Sequence, residues 1–336
     1  VDLQMACDSG IIESVEYLAM AEAPPFAPIW FRNWFYRIDL KGEVILKPDG
    51  GEFSWAKWET PEECLTKFAS GEALMVPPTR WEHRRNAVTA TTAAVGLAAV
   101  FAVALVTQTD TRAFLYDRLL YVDRYSLLFK ALFTGVGFAV VLMSVDYVGR
   151  KMSHPGEYYA LVVFAVLGAD LMASSGELLT AFISIELLSF SLYVLVALAR
   201  GDRRSAEAST KYILLGAISS AVMLYGISLL YGAIGATAFS AMTPHLGAIM
   251  PLTVILGLVM FVAGLAFKLS IAPFHLWAPD VYEGSPTPIT ALIAVLSKAA
   301  AFALLLRFLA EAAPNAVGEW QLPLAILAAL TMTVGT

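Results

Sequence analysis

From Ala87 onward the chain repeats one pattern, an apolar run of about twenty residues followed by a short polar stretch. Runs of this length match the hydrocarbon thickness of a bilayer. They predict membrane-spanning helices at about 87–106, 126–147, 158–175, 178–199, 210–232, 251–271 and 288–309, with an eighth cut short at 322–336. Upstream the pattern changes. Residues 31–58 hold the aromatic-rich stretch FRNWFYRIDL, the turn residues Pro48-Asp49-Gly50-Gly51 and the alternating stretch EFSWAKW, which predict two strands. A short helix should follow. Thr60 suits its N-cap, Pro61 its first position and Glu63 the reciprocal capping partner, with Gly71 ending it near Ser70 and Pro77-Pro78 preventing its resumption. The expected architecture is an all-α polytopic membrane bundle over residues 87–336, preceded by a small α+β soluble fragment over residues 1–82. Residue 1 is Val, no basic segment precedes an apolar one, and the last run is short for a span, so both ends read as cut and the chain as a fragment.

Charge follows the same division. Residues 1–86 contain 9 Lys/Arg and 14 Asp/Glu, whereas the 250 residues from Ala87 contain 13 and 14. With 58% hydrophobic residues, 15% charged and a mean hydropathy of +0.69, an ordinary soluble enzyme is excluded. The net charge of −6 arises mainly in the first part (9 − 14 = −5), and no basic stripe invites nucleic acid. Cys7 and Cys64 form neither a disulfide framework nor a metal motif, and His83, His154, His245 and His275 lack ligand spacing. Phosphate-binding Gly loops, Ser/His/Asp triads and iron–sulfur cysteine runs are absent from the sequence. Arg84 and Arg85 precede the first span, Arg150 and Lys151 follow the second, and Arg200, Arg203, Arg204 and Lys211 follow the fourth. The alternate loops hold only Arg112, Arg118 and Arg124, or no basic residue. This bias predicts that the richer loops and the N-terminal segment face the cytoplasm, across a bacterial plasma membrane.

Four charged residues within the spans carry the chemistry: Asp170, Glu186, Lys268 and Lys298. Each costs about 2.5–3.5 kcal/mol near a bilayer centre, so each is expected to face protein or water with a role to perform. Lys268 lies just before Pro273, which removes a backbone hydrogen bond and frees carbonyls. That is how membrane proteins open polar breaks within a span. A carboxylate with two lysines around a broken helix reads as a proton or cation path, with His275 and Asp170 as candidate relays. Spacing alone does not choose the ion.

The stretches GEYYALVVFAVLGADLMASSGELLTAFISIELLSFSLYVL, AFKLSIAPFHLWAPDVYEGSPTPITALIAVLSKAAAFA and LTMTVGT resemble subunit N of proton-pumping NADH–quinone oxidoreductase, respiratory complex I, whose eukaryotic counterpart is mitochondrial subunit 2. The close match runs from about Leu115 to the end. PFHLWAPDVYEGSPTP and Ser297-Lys298 look like subunit N rather than its L and M paralogues. By this resemblance Glu186 is the glutamate of the fifth helix, Lys268 the lysine of the broken seventh helix that pairs with it, and Lys298 the central lysine of the eighth, leading to the exit half-channel. The resemblance implies a proton path driven by electron transfer elsewhere. This chain would bind no cofactor, while NADH, FMN, iron–sulfur clusters and quinone are held by partner subunits. The implied partners are the antiporter-like M and L subunits, the small membrane subunits A, J and K, and lipid. A stand-alone or Mrp-type cation/proton antiporter subunit is the alternative. The family has about fourteen helices, so the second repeat is mostly missing here, and so is its first helix.

Residues 12–80 also resemble the C-terminal part of a Nudix hydrolase, without the Arg-Glu-x-x-Glu-Glu helix whose carboxylates hold Mg²⁺. Glu62 and Glu63 are better explained as first-turn acids. A membrane-anchored Nudix hydrolase is thereby disfavoured, and a genuine fusion stands beside a joining of two truncated genes.

Overall fold

A computed structural model of the chain describes residues 12–22, 32–40, 77–107, 112–151, 155–199, 203–247, 249–314 and 317–335. The chain divides into two units, Val1–Arg84 and Arg85–Thr336. In the first, β1 (Ile12–Glu22) pairs antiparallel with β2 (Arg32–Leu40), Tyr17 opposite Tyr36. β2 is the aromatic-rich stretch expected to be a strand, but its described partner precedes it in the chain instead of following the Pro48–Gly51 turn. β1 escapes a period-two reading because irregularities between Ile12 and Ser14, and between Tyr17 and Ala19, reset its alternation. That turn, the EFSWAKW strand and the helix expected from Pro61 lie outside the described residues.

The helices are α1 (Pro77–Val106), α2 (Arg124–Lys151), α3 (Pro155–Ser174), α4 (Leu178–Ala197), α5 (Arg203–Ile234), the single turn α6 (Phe239–Met242), α7 (Leu252–Leu269), α8 (Ala278–Gly284), α9 (Thr287–Ala312) and α10 (Val317–Gly335). Seven of them, α1 to α5, α7 and α9, are long and apolar enough to cross a membrane. Each expected span falls on one of these, and the eighth, shortened run falls on α10. Two differences have physical causes. Pro77-Pro78 begin α1 instead of preventing a helix, because a proline in the first turn gives up only an N–H that has no helical partner. α5 starts seven residues before its apolar run. Its polar opening is held by Lys211, which pairs with Glu207 one turn back at 2.7 Å and with Asp280 of α8 at 2.6 Å.

Two backbone bridges, Leu120 to Ser175 and Glu177 to Ala238, gather the connections between spans at one end of the bundle. That end also carries a hairpin of β3 (Ala113–Leu115) and β4 (Leu120–Val122). Lys211–Asp280 and the Arg204–Glu283 pair at 3.6 Å mark the opposite, basic end. Successive spans therefore alternate in direction.

Lipid tails are as apolar as leucine, so close backbone approach must hold the helices together. α5 and α7 achieve it at Gly226 and Gly257, where a Cβ on Gly226 would stand 2.7 Å from the Gly257 carbonyl oxygen. α3 meets α4 at Gly168, whose Cβ would stand 2.7 Å from the Leu188 nitrogen.

The hairpin end is pinned by charge. Arg307 of α9, only 3% exposed, donates to both carboxylate oxygens of Asp123 at 3.0 and 2.8 Å and through Nε to the Ala173 carbonyl at 2.6 Å. Its guanidinium lies over the rings of Tyr121 and Tyr125. Asp123 also caps α2, accepting from the Ser126 N–H while Ser126 Oγ accepts from its own N–H. Arg112 adds a two-pronged bond to Glu311. Burial alone would raise the Asp123 carboxyl, but the Arg307 and Ser126 hydrogen bonds hold it below its ordinary value of 3.8.

Arg307→Met is expected to destabilise the bundle by about 3–5 kcal/mol, since it strands the buried Asp123 carboxylate. A carboxyl held low contributes stability above its ordinary value, and this is lost as the pH falls through the lower folded value. In detergent melting curves the gap between wild type and variant should therefore narrow as the pH is taken below 3.8.

Candidate functional site

α7 stops inside the bundle. Ser270 caps it in the left-handed conformation at φ 55°, and the Ile271 N–H returns to the Ala266 carbonyl. Pro273 follows within the resulting turn, so the helix cannot resume before α8. The Trp277 indole N–H donates at 2.9 Å to the Phe267 carbonyl, which also accepts from the Ser270 N–H.

Lys268 sits one residue before the break and is 3% exposed. Its ammonium donates to the Tyr193 hydroxyl at 3.1 Å and lies 5.2 Å from the Tyr193 ring centre and 5.5 Å from that of Phe267. Aromatic rings take the place of a contact carboxylate. They also extend away from Lys268. Tyr212 stands edge-on to Tyr193 and stacks on Trp277, both at 4.6 Å between centroids, and Trp277 meets Tyr282 at 6.3 Å. The Lys298 ammonium then lies 5.3 Å from the Tyr282 ring centre. One continuous aromatic chain thus joins the two lysines.

Glu186 of α4 accepts a hydrogen bond from the Ser220 hydroxyl of α5. It is within electrostatic reach of Lys268 but forms no salt bridge with it. Each partner of the pairing that the family resemblance implied is held by its own hydroxyl. Lys298 follows directly on a π turn at Ile293–Ser297 within α9, a feature frequent at functional sites. Lys268 thus sits beside the Pro273 break, Lys298 is reached from it along the aromatic chain, and Glu186 lies within electrostatic reach of Lys268. Asp170 is not part of this group; it lies within electrostatic reach of Lys130 of α2. His275 lies in the break, and its Nδ1 is buried without a hydrogen-bond partner. The hydroxyls of Tyr212, Ser270 and Tyr282 are likewise buried and unpartnered. Hydroxyls and imidazoles both donate and accept, the property a proton relay needs. Among the described residues, no three His, Cys, Asp or Glu side chains gather as a metal site.

Sequence reasoning passed over Tyr193, Ser220 and Tyr282, because hydroxyl-bearing residues on an apolar helix carry no charge signal. It also passed over Lys130 and Arg307, near span ends where a basic residue reads as interfacial.

Residues 175–336 match the model of the NADH:quinone oxidoreductase/Mrp antiporter transmembrane family. Curated relatives agree. Subunit N of NADH-quinone oxidoreductase from Desulforamulus reducens is 41% identical over 273 residues, covering 81% of this chain and 56% of the relative. The Rhodobacter capsulatus subunit N is 40% identical over 276 residues, 82% and 57% of the two chains. The chain is thus similar to subunit N of NADH-quinone oxidoreductase, and its residues 175–336 carry the antiporter-like transmembrane domain. It spans about half the length of the curated relatives it matches. An alignment of 273 residues exceeds the 250 from Ala87 to Thr336, so the likeness to subunit N reaches upstream of Ala87 as well as of Leu115. Among solved structures, a chain of respiratory complex I from Thermus thermophilus with bound aureothin is 36% identical with a TM-score of 0.57, covering 66% of this chain and 48% of that one. A chain of the Mrp complex from Dietzia sp. is 20% identical with a TM-score of 0.60, covering 68% and 45%, and shows the shared fold alone.

In this bundle, Tyr193→Phe keeps the ring beside Lys268 and removes only the hydroxyl. A lost hydrogen bond to a charged group should cost about 1.5–3 kcal/mol. The loss should largely vanish when Lys268→Met is already present, as a double-mutant cycle of melting temperatures would show.

Proposed function

We propose that this chain serves as a membrane subunit of a proton-pumping NADH–quinone oxidoreductase and carries part of its proton path. The observation that supports this reading is Lys268 buried beside a helix break, joined to Lys298 by a chain of aromatic side chains and within electrostatic reach of Glu186. Lys268 holds a proton as its ammonium, favoured by the Glu186 carboxylate across the gap. When a rearrangement of the complex weakens that attraction, Lys268 gives up one proton, which Lys298 receives through the Tyr282 side of the break. Lys268 is left as a neutral amine and Lys298 becomes an ammonium.

In this reading the electron-transfer chemistry is supplied by NADH, FMN, iron–sulfur clusters and quinone in partner subunits. This chain's own residues hold and pass protons. Its neighbours are the M and L subunits and the small subunits A, J and K. Basic residues at the Arg204 end orient that end and the N-terminal segment to the cytoplasm, with the hairpin end across a bacterial plasma membrane. An Mrp-type cation/proton antiporter subunit is the second reading, favoured by the fold shared with the Dietzia complex. Restoration of salt tolerance in an antiporter-deficient strain would support it.

Lys268→Ala and Glu186→Gln, placed in the complete complex in inverted membrane vesicles, are each expected to lower NADH–quinone turnover and proton pumping by at least about tenfold. Unchanged pumping in a normally assembled complex would overturn the reading.

A further inference from the structure

Two opposite charges on packed helices lie within electrostatic reach of each other inside the bundle, outside the Glu186–Lys268–Lys298 series. Lys130 lies six residues along α2 from its hairpin end, and Asp170 four residues from the same end of α3. At 1.5 Å per residue they sit about 6–9 Å inside that end. Asp170 Oδ1 is enclosed and has no hydrogen-bond partner, and Lys130 is the charge that acts on it. No titratable group of α4, packed along α3, acts on Asp170. Lys130 is attracted by both Asp170 and Asp123 and repelled by Arg307. It closes a salt bridge with neither carboxylate. Asp123 is already taken by Arg307, Arg112 and Ser126. Lys130 therefore stands between a committed carboxylate and an uncommitted one. On α9, Arg307 follows Lys298 by nine residues, about 13 Å along the helix, so this group lies between Lys298 and the hairpin-end surface.

A clamp whose task is to fix packing would use up its hydrogen-bonding atoms, as Asp123 and Arg307 do. Asp170 keeps one oxygen uncommitted beside a cation. We propose that Lys130 and Asp170 form a proton-release pair, a further proton-holding site between Lys298 and the hairpin end of the path. This rests on the proton-path reading above. In the loaded form Asp170 is a carboxylic acid next to the Lys130 ammonium. On release its O–H bond breaks, the electron pair stays on the carboxylate oxygen, and the proton passes to water at the hairpin end. The Lys130 ammonium stabilises the carboxylate so formed.

The test uses the complete complex in inverted membrane vesicles, with Asp170→Asn, Asp170→Glu, Lys130→Met and, in parallel, Lys268→Ala. Asp170→Asn and Lys130→Met are expected to lower protons moved per electron by at least about twofold and to shift the pH profile of pumping. Asp170→Glu should restore both. The turnover-induced infrared difference spectrum should lose one protonated-carboxyl band in Asp170→Asn. Wild-type stoichiometry and pH profile in Asp170→Asn and Lys130→Met, alongside an inactive Lys268→Ala, would overturn the release pair and leave the proposed function standing. Normal pumping by Lys268→Ala would overturn both. If the single variants fail to assemble, the swapped double variant Lys130→Asp/Asp170→Lys decides. A shifted pH profile supports the pair, and a wild-type profile overturns it.

Discussion

A charge inside a bilayer must be answered by the protein, because the surrounding hydrocarbon offers neither a dipole nor a hydrogen bond. Arg307 is answered most completely. Two carboxylate oxygens, a carbonyl and two aromatic faces surround it, drawn from the residues before α2, from α2 itself, from the end of α3 and from β4. Satisfying that single guanidinium fixes where three spans and the hairpin meet. With the end fixed, the other charges can be answered more loosely, and the loosely answered ones are those with work to do.

Lys268 is held by a phenol and two rings, Glu186 by a serine hydroxyl and Lys298 by a ring. None is locked to a counter-charge. A closed ion pair would be hard to discharge, whereas an ammonium over aromatic faces gives up only a modest attraction when it loses its proton. Built this way, the helix break is suited to passing charge along.

Much of this was legible in the sequence. Span positions follow from run length, since a membrane permits few alternatives to a helix of about twenty residues. Pro273 marked the break, and Glu186, Lys268 and Lys298 stood out as charges in apolar surroundings. Less legible was whatever depends on facing. Lys130 and Asp170 are forty residues apart, and only the packing of α2 on α3 makes them neighbours. Tyr193 and Tyr282 carry no signal of their own in an apolar run until the fold sets a lysine on each. The β1–β2 pairing was missed because two register shifts erase the alternation by which a strand is recognised.

The π turn at Ile293–Ser297 has a consequence for angular phase. Such a turn takes in one residue more than an α-helical turn, so everything beyond it is rotated by about 100° relative to an uninterrupted helix. A helical wheel drawn through residues 287–312 therefore places Lys298 and Arg307 on the wrong azimuth, although every residue in it is helical. Deleting one residue from Ile293–Ser297 would rewind the segment to a regular helix. It would swing Lys298 away from Tyr282 and Arg307 away from Asp123 together, while leaving the chemistry of all four side chains intact.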